Sequence, residues 1–144
     1  MTKTSIEFLA DRLVTATEWL AQNLDVPKMP MGYFGASTGA GAALIAAARR
    51  PQAVDAIVSR GGRPDMAGSV LPQVQAPTLL IVGGNDAPVI EMNKQALAQL
   101  EVEKKLEIIE SDSTRQKANL ENRASLIEHE GRMSEKADNF QATP

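Results

Sequence analysis

Apolar side chains recur every three or four residues near the start of the chain, at Ile6, Leu9, Leu13, Leu20 and Leu24. This spacing places them on one face of a helix over about residues 5–24. Thr4 and Glu7 form a capping-box pattern at its beginning, and Pro27 and Pro30 are expected to end it. The chain therefore opens with an amphipathic helix.

Four short apolar runs have the length and composition of β-strands, at 31–35, 54–59, 78–82 and 106–109. The run at 78–82 is unbroken, which is typical of a parallel strand covered on both faces. An alanine-rich helix is predicted at 39–50 and a further helix at 89–100. Because helices and strands alternate, the sequence predicts an α/β fold with about four mostly parallel strands flanked by helices.

The composition changes after Glu110. Residues 111–144 are mostly polar and charged, with a thin apolar stripe of Leu120, Ala124 and Ile127 at helical spacing. We expect a weak helix that ends at Gly131 and is followed by disorder. The sequence thus predicts a domain at 1–110 and a polar, helical or disordered tail at 111–144.

Composition narrows the classes of function. The chain has 144 residues, a net charge of −3, no cysteine and a single histidine. A domain of this charge is not expected to bind nucleic acid, and the lack of cysteine excludes disulfides, thiolate metal sites and a cysteine nucleophile. No metal or cofactor is expected. Because the start lacks a long apolar run, we expect no signal peptide or membrane span and a soluble, cytoplasmic protein.

One motif carries the chemistry. The predicted strand at 31–35 leads into Gly35-Ala36-Ser37-Thr38-Gly39, and the alanine-rich helix follows at once. Gly-x-Ser-x-Gly between a strand and a helix indicates a nucleophile elbow, in which glycine lets the two backbones approach and the serine adopts a strained conformation. The N–H of Thr38, at the start of the helix, can stabilise an oxyanion. A phosphate-binding glycine turn fits less well, because no Gly-Lys-Ser/Thr follows.

Polar residues follow three of the predicted strands at their carboxyl ends. These are Ser37, Arg60 and Asp86. The carboxyl ends of parallel strands share one edge of a sheet, where ligands of α/β proteins bind. Arg60 could hold a planar anion or pair only with Asp65. Asp86 could act as a catalytic acid or cap a backbone N–H in a turn.

The span from about Arg12 to Glu110 resembles the carboxyl half of a bacterial α/β-hydrolase of the dienelactone-hydrolase-like group. The resemblance rests on three stretches in the family's order, at 32–39, 59–65 and 77–86. It implies that Ser37 is the nucleophile, that Asp86 orients a catalytic histidine and that the Thr38 N–H forms half of an oxyanion hole. Dienelactone hydrolases use a cysteine nucleophile, so their substrate does not carry over to a chain with a serine.

Two parts of the family pattern are missing from this sequence. The strands that precede the first helix in the family are absent, and residues 111–114, where its histidine would stand, contain none. His129 is the one candidate base in the chain. It could equally be a solvated histidine between Glu128 and Glu130.

The sequence favours a serine hydrolase that acts on an ester, lactone or thioester and is incomplete or weakly active as this chain. The alternative is a catalytically silent half-domain that serves as a binding or interaction module. A nucleotide-binding domain is a weaker third hypothesis. In the family the strand at 31–35 is paired on both sides, so we expect a homo-oligomer or a partner chain to pair with its free edge.

Overall fold

A computed structural model describes residues 2–23, 29–110 and 112–141. The strands are β1 (Gly32–Ser37), β2 (Ala56–Gly62), β3 (Thr78–Gly83) and β4 (Lys104–Ile109), and the helices are α1 (Ser5–Asn23), α2 (Thr38–Arg49), α3 (Ala87–Gln99) and α4 (Asp112–Gln141). Contacts divide the chain into two units, Met1–Ile109 and Glu110–Pro144. The first unit contains the sheet and α1 to α3.

The four strands form one parallel sheet in the order β1-β2-β3-β4. Each connection contains helical structure, as parallel neighbours require. The predicted α/β fold with a parallel sheet flanked by helices is confirmed. Within the described residues β1 has a partner on one side only, so its outer backbone groups form a free edge.

The core lies on one face of the sheet. Tyr33 of β1 and Ile57 of β2 are buried there among side chains of α1, α2 and α3. The Tyr33 hydroxyl lies 2.5 Å from Oγ1 of Thr17, a buried contact that ties α1 to the sheet. Side chains alternate along strands, so Phe34 and Val58 face the other way.

The opposite sheet face is only partly covered. Phe34 is 68% exposed, and Val58, Leu79 and Ile81 are half-buried. The prediction that the strand at 78–82 is covered on both faces is therefore wrong for this chain. An unbroken apolar run indicates which side chains favour burial. It does not indicate whether helices of this chain cover both faces of the sheet.

Helix α2 is built from small residues and lies hard against the sheet. Its residues from Ala40 to Ala47 are all buried, and Leu44 and Ile45 are the only large side chains among them. Alanine allows close helix–sheet packing because its side chain projects so little. This close packing fixes the position of the Gly35–Gly39 motif, which lies at the start of α2.

Helical structure differs from the predictions in two places. The connector after β2 contains a 3₁₀ segment, Pro64–Gln73, which the sequence analysis treated as loop. In the second unit α4 continues through Gly131 to Gln141, so the predicted end at Gly131 is wrong. A glycine inside a helix costs only about 1 kcal/mol, which does not by itself stop one. Leu24, Pro27 and residues 142–144, which entered the predictions, lie outside the described residues.

None of the helices in the described ranges combines the length and the apolar character needed to cross a bilayer.

Candidate functional site

Ser37 occupies the turn between β1 and α2 in a conformation that is rare for a residue with a side chain. Its φ is 50° and its ψ is −129°. Among the described residues it is the one non-glycine with a positive φ. Such a conformation costs on the order of 1–3 kcal/mol, and surrounding structure must hold it. The predicted unusual backbone of Ser37 is confirmed.

The strand and the helix touch at Gly35. A Cβ atom on Gly35 would lie 2.6 Å from Cα of Ala40 and 2.7 Å from its backbone nitrogen, which is too close for any side chain. The predicted close approach is therefore confirmed at Gly35. It is wrong for Gly39, where a Cβ would meet nothing within 4 Å. Gly39 lies on the side of α2 that faces away from the strand.

The start of α2 leaves the serine hydroxyl unused by the helix. Ser37 is the N-cap residue, yet its side chain makes no capping hydrogen bond. Thr38 is the first helical residue, and the first N–H groups of a helix have no partner within it. Both residues are exposed. An exposed hydroxyl thus lies beside backbone donors at the positive end of the helix dipole.

The end of β2 supports the turn from the other side. Ser37 lies opposite Gly62 after an irregularity in the strand register, and the N–H of Arg63 donates to the carbonyl of Ser37 at 2.9 Å. A Cβ on Gly62 would collide with Oγ of Ser59 and with Cβ of Ala40. This junction therefore requires glycine at position 62.

Asp65 pairs with Arg63 rather than with Arg60. The Arg63 guanidinium donates from Nε to Oδ1 at 2.9 Å and from Nη2 to Oδ2 at 2.8 Å. These hydrogen bonds hold the pKa of Asp65 below its ordinary value and raise that of Arg63. The alternative in which Arg60 pairs with Asp65 is wrong.

Arg60 lies inside β2, not after it, because the strand continues to Gly62. It is exposed, in register between Ala36 and Ile81 on the partly open sheet face. Its guanidinium makes no hydrogen bond or ion pair with another residue in the described ranges. Its role in substrate binding stays a prediction.

Asp86 follows β3 after a two-residue turn and begins α3. Its Oδ1 accepts a long hydrogen bond of 3.4 Å from the N–H of Val89, so it caps the helix. Because β1 and β3 run parallel, Asp86 and Ser37 lie at the same edge of the sheet, as predicted. The capping role that the sequence left open is present, and the catalytic role stays a prediction.

His129 lies in α4, in the second unit, and its side chain is exposed. The sequence of the first unit contains no histidine. The role of His129 as a base stays a prediction.

Asn93 was missed by the sequence analysis. This α3 side chain is completely buried, and its Nδ2 donates to the carbonyl of Gly62 at 3.1 Å and to that of Val89 at 2.8 Å. A signal was present, since Asn93 falls on the apolar stripe of α3 with Val89, Ala96 and Leu100. A polar residue in such a stripe indicates a buried hydrogen bond.

Relatives match part of the chain, although no family model matches it. A Mycobacterium tuberculosis protein, whose name assigns it provisionally to the phosphoribosyl transferases, is 61% identical over 93 residues. Those residues are 65% of this chain and 21% of that protein. This chain therefore spans about a fifth of the length of the curated relatives that it matches.

Solved structures match over a larger share of the chain. Dienelactone hydrolase from Anabaena variabilis is 63% identical, with a TM-score of 0.71, over 74% of this chain and 49% of that one. A CIB-like hydrolase from Thermoplasma acidophilum matches over 75% of this chain and 50% of that one, with a TM-score of 0.60 and 22% identity, which shows the fold alone. The chain therefore has a partial α/β-hydrolase fold, similar to that of the dienelactone hydrolase from Anabaena variabilis.

Proposed function

We propose that this chain carries the nucleophile side of a serine hydrolase site that acts on an ester, lactone or thioester. The observation that carries the proposal is the backbone of Ser37, a strained residue with a side chain at a strand-to-helix turn. Strain of this kind persists where the surrounding structure holds it, and it clusters at active sites. The unused hydroxyl and the adjacent N–H of Thr38 support the same function.

In the proposed mechanism Oγ of Ser37 attacks the carbonyl carbon of the substrate. The carbonyl oxygen becomes an oxyanion, and the Thr38 N–H donates a hydrogen bond to it. A histidine takes the serine proton and passes it to the leaving group, while Asp86 holds that histidine in the required tautomer. The acyl group is then released by water.

The strand order leaves room for such a histidine. Ser37 follows β1 and Asp86 follows β3, with β2 between them. Two strand spacings of about 4.8 Å separate the strands by roughly 10 Å. An imidazole with a hydrogen bond of about 2.8 Å on each side bridges roughly 8 Å. The spacing of the two strands is thus compatible with a Ser–His–Asp arrangement.

The base is the missing component of the first unit. Serine without a base is a weak nucleophile at neutral pH. His129 of this chain or a histidine of a partner chain would have to supply it. Loss of a triad member leaves an acceleration of about 10³–10⁴ over water, and loss of one oxyanion donor costs a further factor of about 10²–10³. We therefore propose that the chain alone is weakly active.

A silent interaction module is the second candidate. Two observations favour it, the lack of histidine in the unit that holds Ser37 and the free outer edge of β1 beside the exposed Phe34. An exposed edge of an apolar strand pairs readily with another chain. The partner would be a second copy or a chain that continues the sheet.

The name of the Mycobacterium tuberculosis relative describes a protein of which this chain spans 21%. The solved structures described above, which match about three quarters of this chain, are hydrolases. Hydrolysis is therefore the better supported reaction for the residues of this chain.

The test combines covalent labelling with turnover. A serine-directed phosphonate should label the chain, and Ser37→Ala should abolish labelling, whereas Ser69→Ala, at an exposed serine of the same unit, should not. Turnover of a p-nitrophenyl ester should be barely above background and unchanged in His129→Ala. Labelling that survives in Ser37→Ala would contradict the assignment of the nucleophile. Robust turnover lost in both Ser37→Ala and His129→Ala would show that His129 completes the site.

A further inference from the structure

We propose that Asn93 is a positioning residue that fixes the loop carrying Asp86 relative to the turn carrying Ser37. The inference rests on the proposed function only in assuming that Ser37 and Asp86 act together in catalysis. The link itself is a matter of geometry and can be measured without activity.

A continuous series of hydrogen bonds joins the two sides of the site. The carbonyl of Ser37 accepts from the N–H of Arg63 at 2.9 Å, and the neighbouring carbonyl of Gly62 accepts from Nδ2 of Asn93 at 3.1 Å. The same Nδ2 donates to the carbonyl of Val89 at 2.8 Å. The Val89 N–H in turn donates to Oδ1 of Asp86. Asn93 is the only side chain of this series that connects the end of β2 to α3.

Gly62 is the fixed point of the series. It lies opposite Ser37 in the sheet, and it is packed so tightly that a Cβ would lie 2.1 Å from Oγ of Ser59 and 2.4 Å from Cβ of Ala40. The backbone at Gly62 is therefore packed closely against both β2 and α2. A hydrogen bond to this carbonyl gives α3 a rigid reference beside the serine turn.

Only one end of the Asn93 amide is used in hydrogen bonding. The side chain is completely buried, and its Oδ1 has no hydrogen-bond partner among the described residues. A buried polar atom without a partner is unfavourable; leucine would avoid this cost, but it would also take the donor away from the Gly62 carbonyl. Asparagine differs from leucine here in its Nδ2 group, whose hydrogen bonds join the end of β2 to α3.

The experiment measures the distance between the two sides of the site. The chain has no cysteine, so spin labels can be placed at Thr38→Cys and Ala87→Cys, both exposed and adjacent to Ser37 and Asp86. With Asn93 intact, electron paramagnetic resonance should give one narrow dipolar component. In Asn93→Leu, which fills the volume but lacks the donor, that component should be lost while the circular dichroism remains native.

Two controls separate alignment from general loosening. A label pair inside α3, at Ala87→Cys and Ala98→Cys, should keep its narrow component in Asn93→Leu, and Lys94→Leu on the exposed side of α3 should leave both pairs unchanged. A narrow Thr38–Ala87 component in folded Asn93→Leu would overturn the proposal. Should that variant not fold, the Asn93 side-chain amide protons of the unvaried protein decide the matter, because rapid exchange with solvent would exclude the link. Phosphonate labelling of Ser37 tests the proposed function separately, since the spin-label result does not depend on it.

Discussion

At the scale of the residue, the site depends on one strained serine and on glycines that have different tasks. Ser37 has a positive φ, Gly35 has no room for a side chain, and Gly39 has ample room. The spacing of the motif alone predicts the same structural role for both glycines. Their different surroundings arise from the angle at which α2 leaves the strand, which no short pattern encodes.

The strain at Ser37 predicts a difference between two substitutions that remove its hydroxyl. Ser37→Ala keeps a Cβ in the strained backbone, whereas Ser37→Gly relieves it, so the glycine variant should be more stable than the alanine variant by about 1 kcal/mol. Chemical denaturation of both variants measures the difference. Equal or reversed stabilities would mean that the turn does not store this strain.

Gly35 and Gly39 form a matched pair. Gly35→Ala should destabilise the protein by about 3 kcal/mol or prevent folding, since the new methyl meets the α2 backbone. Gly39→Ala should be neutral or stabilising by up to about 1 kcal/mol, because it replaces an unhindered helical glycine. Urea unfolding of the two variants checks the pair. A similar effect at both positions would argue against the close approach at Gly35.

The pair of Asp65 and Arg63 makes part of the stability depend on pH. Hydrogen bonds from Arg63 lower the pKa of Asp65 below its ordinary value of 3.8. A lowered folded pKa stabilises the protein above the unfolded pKa, and this contribution is lost as the pH falls through the folded pKa. Asp65→Asn should therefore melt below the unvaried protein at about pH 7, and the two should converge as the pH falls below the folded pKa of Asp65. A difference in melting temperature that does not change with pH, or one equally present in Glu101→Gln, would contradict this origin.

At the scale of the element, the sequence predicted well what periodicity and turn residues control. Each predicted strand and helix has a counterpart, and in β1 to β3 and α1 to α3 the apolar spacing marks the buried positions. The 3₁₀ segment at Pro64–Gln73 escaped because it has no repeating apolar pattern of its own. The hydrogen-bond partner of Asn93 outside α3 could not be predicted, because Gly62 lies 31 positions away in the chain.

The free edge of β1 leads us to expect self-association. Its outer edge is free in the described sheet, and Phe34 is exposed beside it. We expect the protein to associate with increasing concentration, and Phe34→Lys to weaken this because a charge on an edge strand opposes pairing. Light scattering across a concentration series measures the mass. Leu126→Lys, at a comparably exposed position of α4, is the control, and a monomer at every concentration would contradict the expectation.

At the scale of the whole molecule, the fold and the chemistry are known to different extents. The order of strands places Ser37 and Asp86 at one edge, and this follows from parallel topology that the sequence already indicated. A base cannot be assigned in the same way. Long-range placement of a residue such as His129 depends on tertiary contacts, and its own surroundings in the sequence are those of an exposed helix.

The small residues of α2 have a consequence for how this protein can change. From Ala40 to Ala47 the helix has only two side chains with rotamers, those of Leu44 and Ile45. Where alanine and glycine of α2 pack against the sheet, their side chains cannot repack around a substitution, since they have no χ angles to adjust. The helix must shift as one body or stay in place. Ser37 is the N-cap residue of α2 and would move with the helix. Substitutions on the far side of α2 would therefore change the position of the serine by displacing the whole helix.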